Sequence, residues 1–240
     1  MTQEILGRFG DIEENLKEIR FNIGEAAVRS GRKPEDVTLM AVSKTVDTVF
    51  INHAISQGID LIGENKVQEF LQKEPELELS KCRAHLIGHL QSNKVGKIVG
   101  RVDMIQSVDT VSIAREIGKR SGMQGIVTKV LLEINAGSEL TKFGFAPEEA
   151  AERAAEIAEI PGIQVEGLMA VAPICDNEAD LRTVFSNTYR LYLDIGAKKI
   201  NNTNMHVLSM GMSGDYVPAI LEGATLVRVG SALFGPRNYR

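Results

Sequence analysis

A length of 240 residues suits one large domain or two small ones, and a (β/α)8 barrel of about 250 residues fills it without remainder. Hydrophobic residues at 43% and charged residues at 25% exclude the collagen-like, disordered and disulfide-scaffold classes. The net charge is −5, with 27 basic and 32 acidic side chains mixed along the chain, so nucleic acid is not an expected partner.

The N-terminus, MTQEILGRFGDIEEN, has acids where a signal peptide needs bases, and no apolar run anywhere approaches about 18 residues. A cytoplasmic protein without membrane contact is expected. Ile5, Phe9, Ile12, Leu16, Ile19 and Ile23 recur at alternating four- and three-residue steps, one stripe along a leading helix of about residues 3–30 that Gly31 and Pro34 end. The stripe either packs on the rest of the domain or pairs with a second copy, and its few heptads favour packing. A monomer is expected, with a weak dimer as the competing outcome.

Beyond the helix, β-like runs at 37–44, 61–65, 84–90, 104–109, 129–135, 165–173, 206–213 and 226–234 alternate with helical stretches near 47–58, 66–74, 91–99, 111–121, 147–159, 178–197 and 215–223. Eight such runs, mostly rich in Val, Ile, Leu and Met, predict a single (β/α)8 TIM barrel over residues 1–240, preceded by the extra helix. A doubly wound open sheet is the competitor. It normally uses fewer strands and a glycine-rich first turn, and VSKTVD has no glycine. Cys82 and Cys175 lack CxxC or Cys/His ligand spacing and read as small core residues in a reducing compartment, with no metal site.

In a barrel, function collects where strands end. Lys44 closes the run VTLMAVSK, and alternation sets it on one face with Met40 and Val42, ahead of a helix that Asp47 can cap. If that face lines the barrel, the amine is partly desolvated, its pKa falls, and it becomes a nucleophile toward an aldehyde; otherwise it is a solvated strand-end lysine. Arg228 stands in the apolar run TLVRVGSALFG, where an unpaired guanidinium is strongly unfavourable, so it needs a partner, for instance Glu133 in LLEIN. Gly230 and Ser231 then expose backbone N–H groups where many barrels hold a phosphate. Ser213 in SMGMSGD, with Gly211 and Gly214, lies just before a helix starting near Asp215, so a hydroxyl and amides can converge on an anion; the alternative is a serine cap with no ligand. Glu64, Asn65, His85, His89 and Asn135 stand at the other strand ends, with His85 and His89 on one face. No metal-ligand spacing, GxSxG elbow or Walker sequence is present.

The motifs AVSKTV, GENKVQE, HLIGHLQSNK, IQSVD, TKFGF, LMAVAP and SMGMSGDYVPAILEGATLVRVGSALFG together resemble the pyridoxal phosphate homeostasis proteins, the YggS/PROSC family of pyridoxal 5′-phosphate (PLP) carriers, over nearly the whole chain. The resemblance implies a barrel like the N-terminal domain of bacterial alanine racemases. It places PLP as a Schiff base on Lys44, Arg228 against the pyridine nitrogen, and the phosphate on Ser213, Gly230 and Ser231. Asn65 and His85 match motif positions at the mouth and are implied near the cofactor. The implied function is a non-catalytic carrier in vitamin B6 homeostasis that passes PLP to apo-enzymes. Racemases of this fold add a β-rich domain that supplies a tyrosine base, and the sequence ends soon after the last strand, so no such domain is expected. Tyr189, Tyr192, Tyr216 and Tyr239 lie in candidate helices or the tail, which leaves no evident second base. A single-domain amino-acid racemase with His85 as second base and a cofactor-free Schiff-base aldolase are the enzyme alternatives.

Overall fold

The protein is described as a computed structural model over residues 3–137, 143–175 and 177–236. A leading helix, α1 (Gln3–Arg29), is followed by β1 (Thr38–Val42), α2 (Thr48–Ser56), β2 (Leu61–Glu64), α3 (Val67–Lys73), β3 (Arg83–Leu86), α4 (Ser92–Ile98), β4 (Met104–Val108) and α5 (Val111–Gln124). The second half continues with β5 (Thr128–Ile134), α6 (Ala150–Ala158), β6 (Ile163–Ala170), α7 (Glu178–Ala197), β7 (Thr203–Met212), α8 (Tyr216–Leu221), β8 (Leu226–Val229) and α9 (Ser231–Phe234). The eight strands pair in parallel in chain order, and β8 returns to β1, so the barrel closes.

Alternation along the strands divides the core. Ala41, Ile62, Leu86, Ile105, Val130 and Val227 face the helices and merge with their apolar faces into the large outer core. Residues of the opposite parity fill the barrel: Met40, Leu61 and Leu226 form one small cluster, and Met104, Leu131 and Met169 form another.

The leading helix takes a structural place in the ring. The helix after β8, α9, is a single turn, and α1 packs beside it against α8 on one side and α2 on the other. It therefore fills the eighth outer position that α9 is too short to cover. Ile12, Leu16, Ile19 and Ile23 are buried along its inner face, each contributing about 1.5 to 3 kcal/mol of transfer free energy. Polar ties fix the seat: Asn15 Nδ2 donates to Leu233 O at 3.1 Å, and Asn22 Nδ2 donates to the Tyr216 hydroxyl at 3.1 Å. Just past the helix, Arg32 donates to the carbonyls of Ala224 and Ile220 at the C-terminal end of α8.

Strand ends and the place of one cysteine differ from expectation, the runs 84–90 and 165–173 being strands only through Leu86 and Ala170. The apolar run 226–234 is a strand only through Val229, because GSALF turns into α9 and buries Leu233 and Phe234 outside the barrel; periodicity cannot separate strand from helix in so short a run. Cys82 is buried, with its thiol pushed up to about 12 by burial, but Cys175 is only half-buried in the loop after β6.

Candidate functional site

Lys44 stands in the turn that follows β1, its side chain half-buried. It lines a cavity of about 50 Å³ together with Arg8, Val42, Thr45, Gly230 and Ser231. The turn is held from behind. Lys73 Nζ, on α3, donates to Ser43 O at 2.8 Å, to Glu64 Oε1 at 2.8 Å and to Glu69 Oε1 at 2.7 Å. Ser43 Oγ also donates to Glu64 Oε1 at 2.9 Å, and the Thr45 amide donates to Glu69 Oε1. Thr45 has φ +62, a left-handed conformation that is unfavourable for a β-branched residue and that this network over-determines. Burial pushes the Glu64 carboxyl up against the pull of Lys73, whereas at Glu69 the bonds from Lys73 and Thr45 outweigh burial and hold the pKa down. Asp47 occupies the position before α2, but its side chain makes no capping bond.

The structure brings Ser213 against Gly230 and the first turn of α9, which Ser231 opens. Ser213 Oγ accepts from the Gly230 amide at 3.0 Å and from the Ala232 amide at 3.3 Å. A hydroxyl that accepts twice keeps its own proton to donate outward. Close approach is built in by Gly211, at φ +89, where a Cβ would lie 2.6 Å from that of Ala219. The side chain of Asp215 accepts from the Met212 amide, and burial raises its pKa.

Arg228 is buried at 4% exposure, and burial lowers its pKa to about 10. Its partners are neutral: Nη1 donates to Ser209 Oγ at 2.7 Å and Nη2 to Ala170 O at 2.8 Å. Glu133 attracts the guanidinium through space but forms no ion pair with it within 4 Å among the described residues, so the Glu133 salt bridge named from sequence does not form. Burial, with Asp109 adding and Arg228 opposing, moves the Glu133 carboxyl up to about 7.

His85 is corrected in position. It points into the barrel from β3, lines a cavity of about 490 Å³ with Thr38, Arg83, Lys129 and Leu226 at the N-terminal ends of the strands, and meets Gln106 through Nδ1 at 2.9 Å. It lies below the mouth, because only the residues after a strand's last ladder position reach the rim. Asn65 does reach it: it follows β2 and packs so closely on the loop after β3 that a Cβ on Gly88 would lie 2.1 Å from its carbonyl oxygen. His89 stands on the same rim, 2.8 Å from the buried Asp109 carboxylate and stacked on Phe143 at 4.0 Å. In TKFGF, Thr141 and Lys142 lie outside the described residues, as does Tyr239. Among the described residues no group of three or more His, Cys, Asp or Glu side chains is arranged to hold a metal, and no helix is long and apolar enough to cross a membrane.

Sequence reading missed the Lys73–Glu69 support and the inward Gln106 and Ser209. The first had a signal in the four-residue spacing of Glu69 and Lys73 directly after GEN; the second depended on which face of β4 and β7 turns inward.

A closed barrel with a lysine after β1 and a buried arginine on β8 defines a class, and the alanine racemase N-terminal domain family matches residues 15–238. An alanine racemase from Clostridium difficile superposes with a TM-score of 0.75 over 96% of this chain and 58% of that one, at 15% identity, a likeness of fold. The chain belongs to the pyridoxal phosphate homeostasis protein family. A relative of that name from Aquifex aeolicus is 40% identical over 226 residues, which is 94% of this chain and 98% of the relative. PipY of Synechococcus elongatus, solved with PLP bound, is 32% identical with a TM-score of 0.81 over 93% of this chain and all of that one.

Proposed function

We propose that this chain binds PLP at the C-terminal mouth of its barrel, covalently through Lys44, and serves intracellular PLP homeostasis without catalysing a reaction. One observation carries the reading: Lys44 lines the same cavity as Gly230 and Ser231, whose neighbouring amides already converge on Ser213. The residues fit the cofactor. Lys44 would hold PLP through its aldehyde, while Ser213, with its proton left to donate, and the Ser231 backbone would take the phosphate beside the Gly230 amide that Ser213 orients. Arg228, charged near neutrality and without a bound carboxylate, would stand toward the pyridine nitrogen and oppose its protonation. Asn65 supports the ring side from the rim. His85 acts at a distance, since it lies below the mouth. When bound, PLP supplies a reactive aldehyde and an electron-withdrawing ring; an unprotonated ring is the weaker electron sink, which suits storage.

The racemase alternative has little support. Tyr192 donates to Met205 O, Tyr216 accepts from Asn22, and Tyr189 stacks on Tyr192, so each described tyrosine is engaged in the outer layer. His85 has Nδ1 occupied, and burial holds its pKa down to about 3, so it is no base at the mouth. The relatives are named for homeostasis, which favours a carrier that hands PLP to apo-enzymes in the cytoplasm. The whole chain acts as one barrel unit, and the burial of the α1 stripe favours a monomer.

Purified protein incubated with PLP and then borohydride is expected to carry a phosphopyridoxyl mass on Lys44, and Lys44→Ala is expected to stay colourless. An adduct confined to other lysines, or none, overturns the reading.

A further inference from the structure

Inside the barrel runs a polar chain that the site at the mouth does not explain. Arg228, Ser209, Gln106 and His85 stand on β8, β7, β4 and β3, each at most 4% exposed. β4 and β8 lie on opposite sides of the closed barrel, and the 2.7 Å bond from Ser209 Oγ to Gln106 Oε1 crosses the lumen between the two aliphatic clusters. Arg228, Ser209 and Gln106, set among Met and Leu side chains, have no water to turn to, so each must satisfy the next, and His85 ends the chain at the cavity below the barrel.

The chain has a direction. A guanidinium can only donate, so Ser209 Oγ accepts from Arg228 Nη1 at 2.7 Å and gives its own proton to Gln106 Oε1. That turns the Gln106 amide nitrogen toward His85 Nδ1 at 2.9 Å, and Nδ1 must be the bare, accepting nitrogen, with the ring proton on Nε2. Reversing the Gln106–His85 bond alone sets a donor against a donor, and turning the Gln106 amide over alone sets its oxygen against the bare Nδ1.

We propose that Ser209, Gln106 and His85 are positioning residues that fix the plane of the Arg228 guanidinium, and so the face it turns toward the cofactor ring. This rests on the reading of PLP at the mouth. A guanidinium that swung away would leave Ser209 and Gln106 with unmade bonds in the interior, so the chain confines it to one place. Burial, with Arg83 and Lys129 adding, keeps the His85 ring uncharged through the neutral range, and the direction persists.

Two measurements separate this proposal from the reading beneath it. In the cofactor-free protein, nitrogen-15 spectra are expected to show His85 as the Nε2–H tautomer at neutral pH, and Ser209→Ala is expected to shift its Nδ1 resonance from two links away. A Nδ1–H or charged ring, or no response to Ser209→Ala, overturns the chain whether or not PLP binds. In the PLP-loaded protein, Gln106→Leu is expected to move the absorption maximum in the direction that Arg228→Lys moves it and to weaken PLP binding about fivefold, the worth of one hydrogen bond. If Gln106→Leu does not fold, Ser209→Ala carries the same comparison, with Ser209→Thr expected to restore the parent spectrum. An unchanged spectrum beside a moved one in Arg228→Lys overturns the positioning role; a wild-type protein that takes up no PLP overturns the function and leaves the tautomer result standing.

Discussion

Lys73 is the one cation within ion-pair distance of Glu64 and Glu69 among the described residues, and Glu64 is 1% exposed. Lys73→Met therefore strands a buried carboxylate, and urea unfolding at neutral pH is expected to show a loss of about 3 to 5 kcal/mol. Adding Glu64→Gln to that variant is expected to recover part of the loss, because an uncharged amide no longer needs the cation. The same support holds Thr45 in its left-handed turn, so PLP affinity should weaken with stability when Lys73 is lost. Glu133 makes a prediction of opposite kind. Its folded pKa of about 7 lies above the ordinary 4.5, so the folded state holds the proton more tightly, and its contribution is present below 4.5 and is lost as pH rises to about 7. Glu133→Gln removes that loss: relative to the parent, the variant should gain stability between pH 4.5 and 7, by at most about 3 kcal/mol. His85, with its pKa depressed to about 3, acts with the opposite sign, stability rising with pH toward 6.5, but it is common to both proteins and cancels in the difference. Urea midpoints of both proteins across pH 4 to 8 check it; a constant difference would contradict it.

At the scale of elements, α1 decides how the barrel is finished. A four-residue α9 leaves the outer faces of β8 and β1 short of cover, and the stripe from Ile12 to Ile23 supplies it. That use of the stripe leaves little to pair with a second copy, so sedimentation equilibrium is expected to give a species of 26.2 kDa. Leu16→Ala should cost about 2 to 5 kcal/mol as a core deletion, whereas Phe21→Ala, at 66% exposure on the same helix, should stay within about 0.5 kcal/mol; chemical denaturation separates the two. Much of this was legible in sequence. The stripe gave the helix and its buried face, and all eight strands fell on apolar runs bounded by turn residues. What periodicity could not give was where a strand stops: 84–90 ends at Leu86, because Gly88 must pack against the Asn65 backbone, and 226–234 ends at Val229, where Ser213 captures the Gly230 amide. Both endings are fixed by a residue from a neighbouring loop and leave no mark within the run itself.

For the whole molecule, closure of the sheet brings together residues that lie far apart in sequence. Lys44 and Arg228 are separated by most of the chain, yet β1 and β8 are neighbours, with Met40 level with Arg228. Their placement could be read ahead of the structure because each stands at a strand end or in an apolar run where its chemistry is conspicuous. Gln106 and Ser209 could not, because a bond across the lumen depends on the register of strands three apart in the barrel. A ligand seated where the first and last strands meet binds only the closed state, since opening the barrel there separates Lys44 from Gly230 and Ser231. Binding should then stabilise the entire fold by mass action. At about a hundredfold excess over Kd the gain is about 2.7 kcal/mol, which for a chain of this size raises Tm by about 5 to 11 °C. Differential scanning calorimetry with and without PLP is expected to show that rise for the parent protein and the loss of most of it for Lys44→Ala. An equal rise in both would mean that PLP stabilises the fold from somewhere other than this junction.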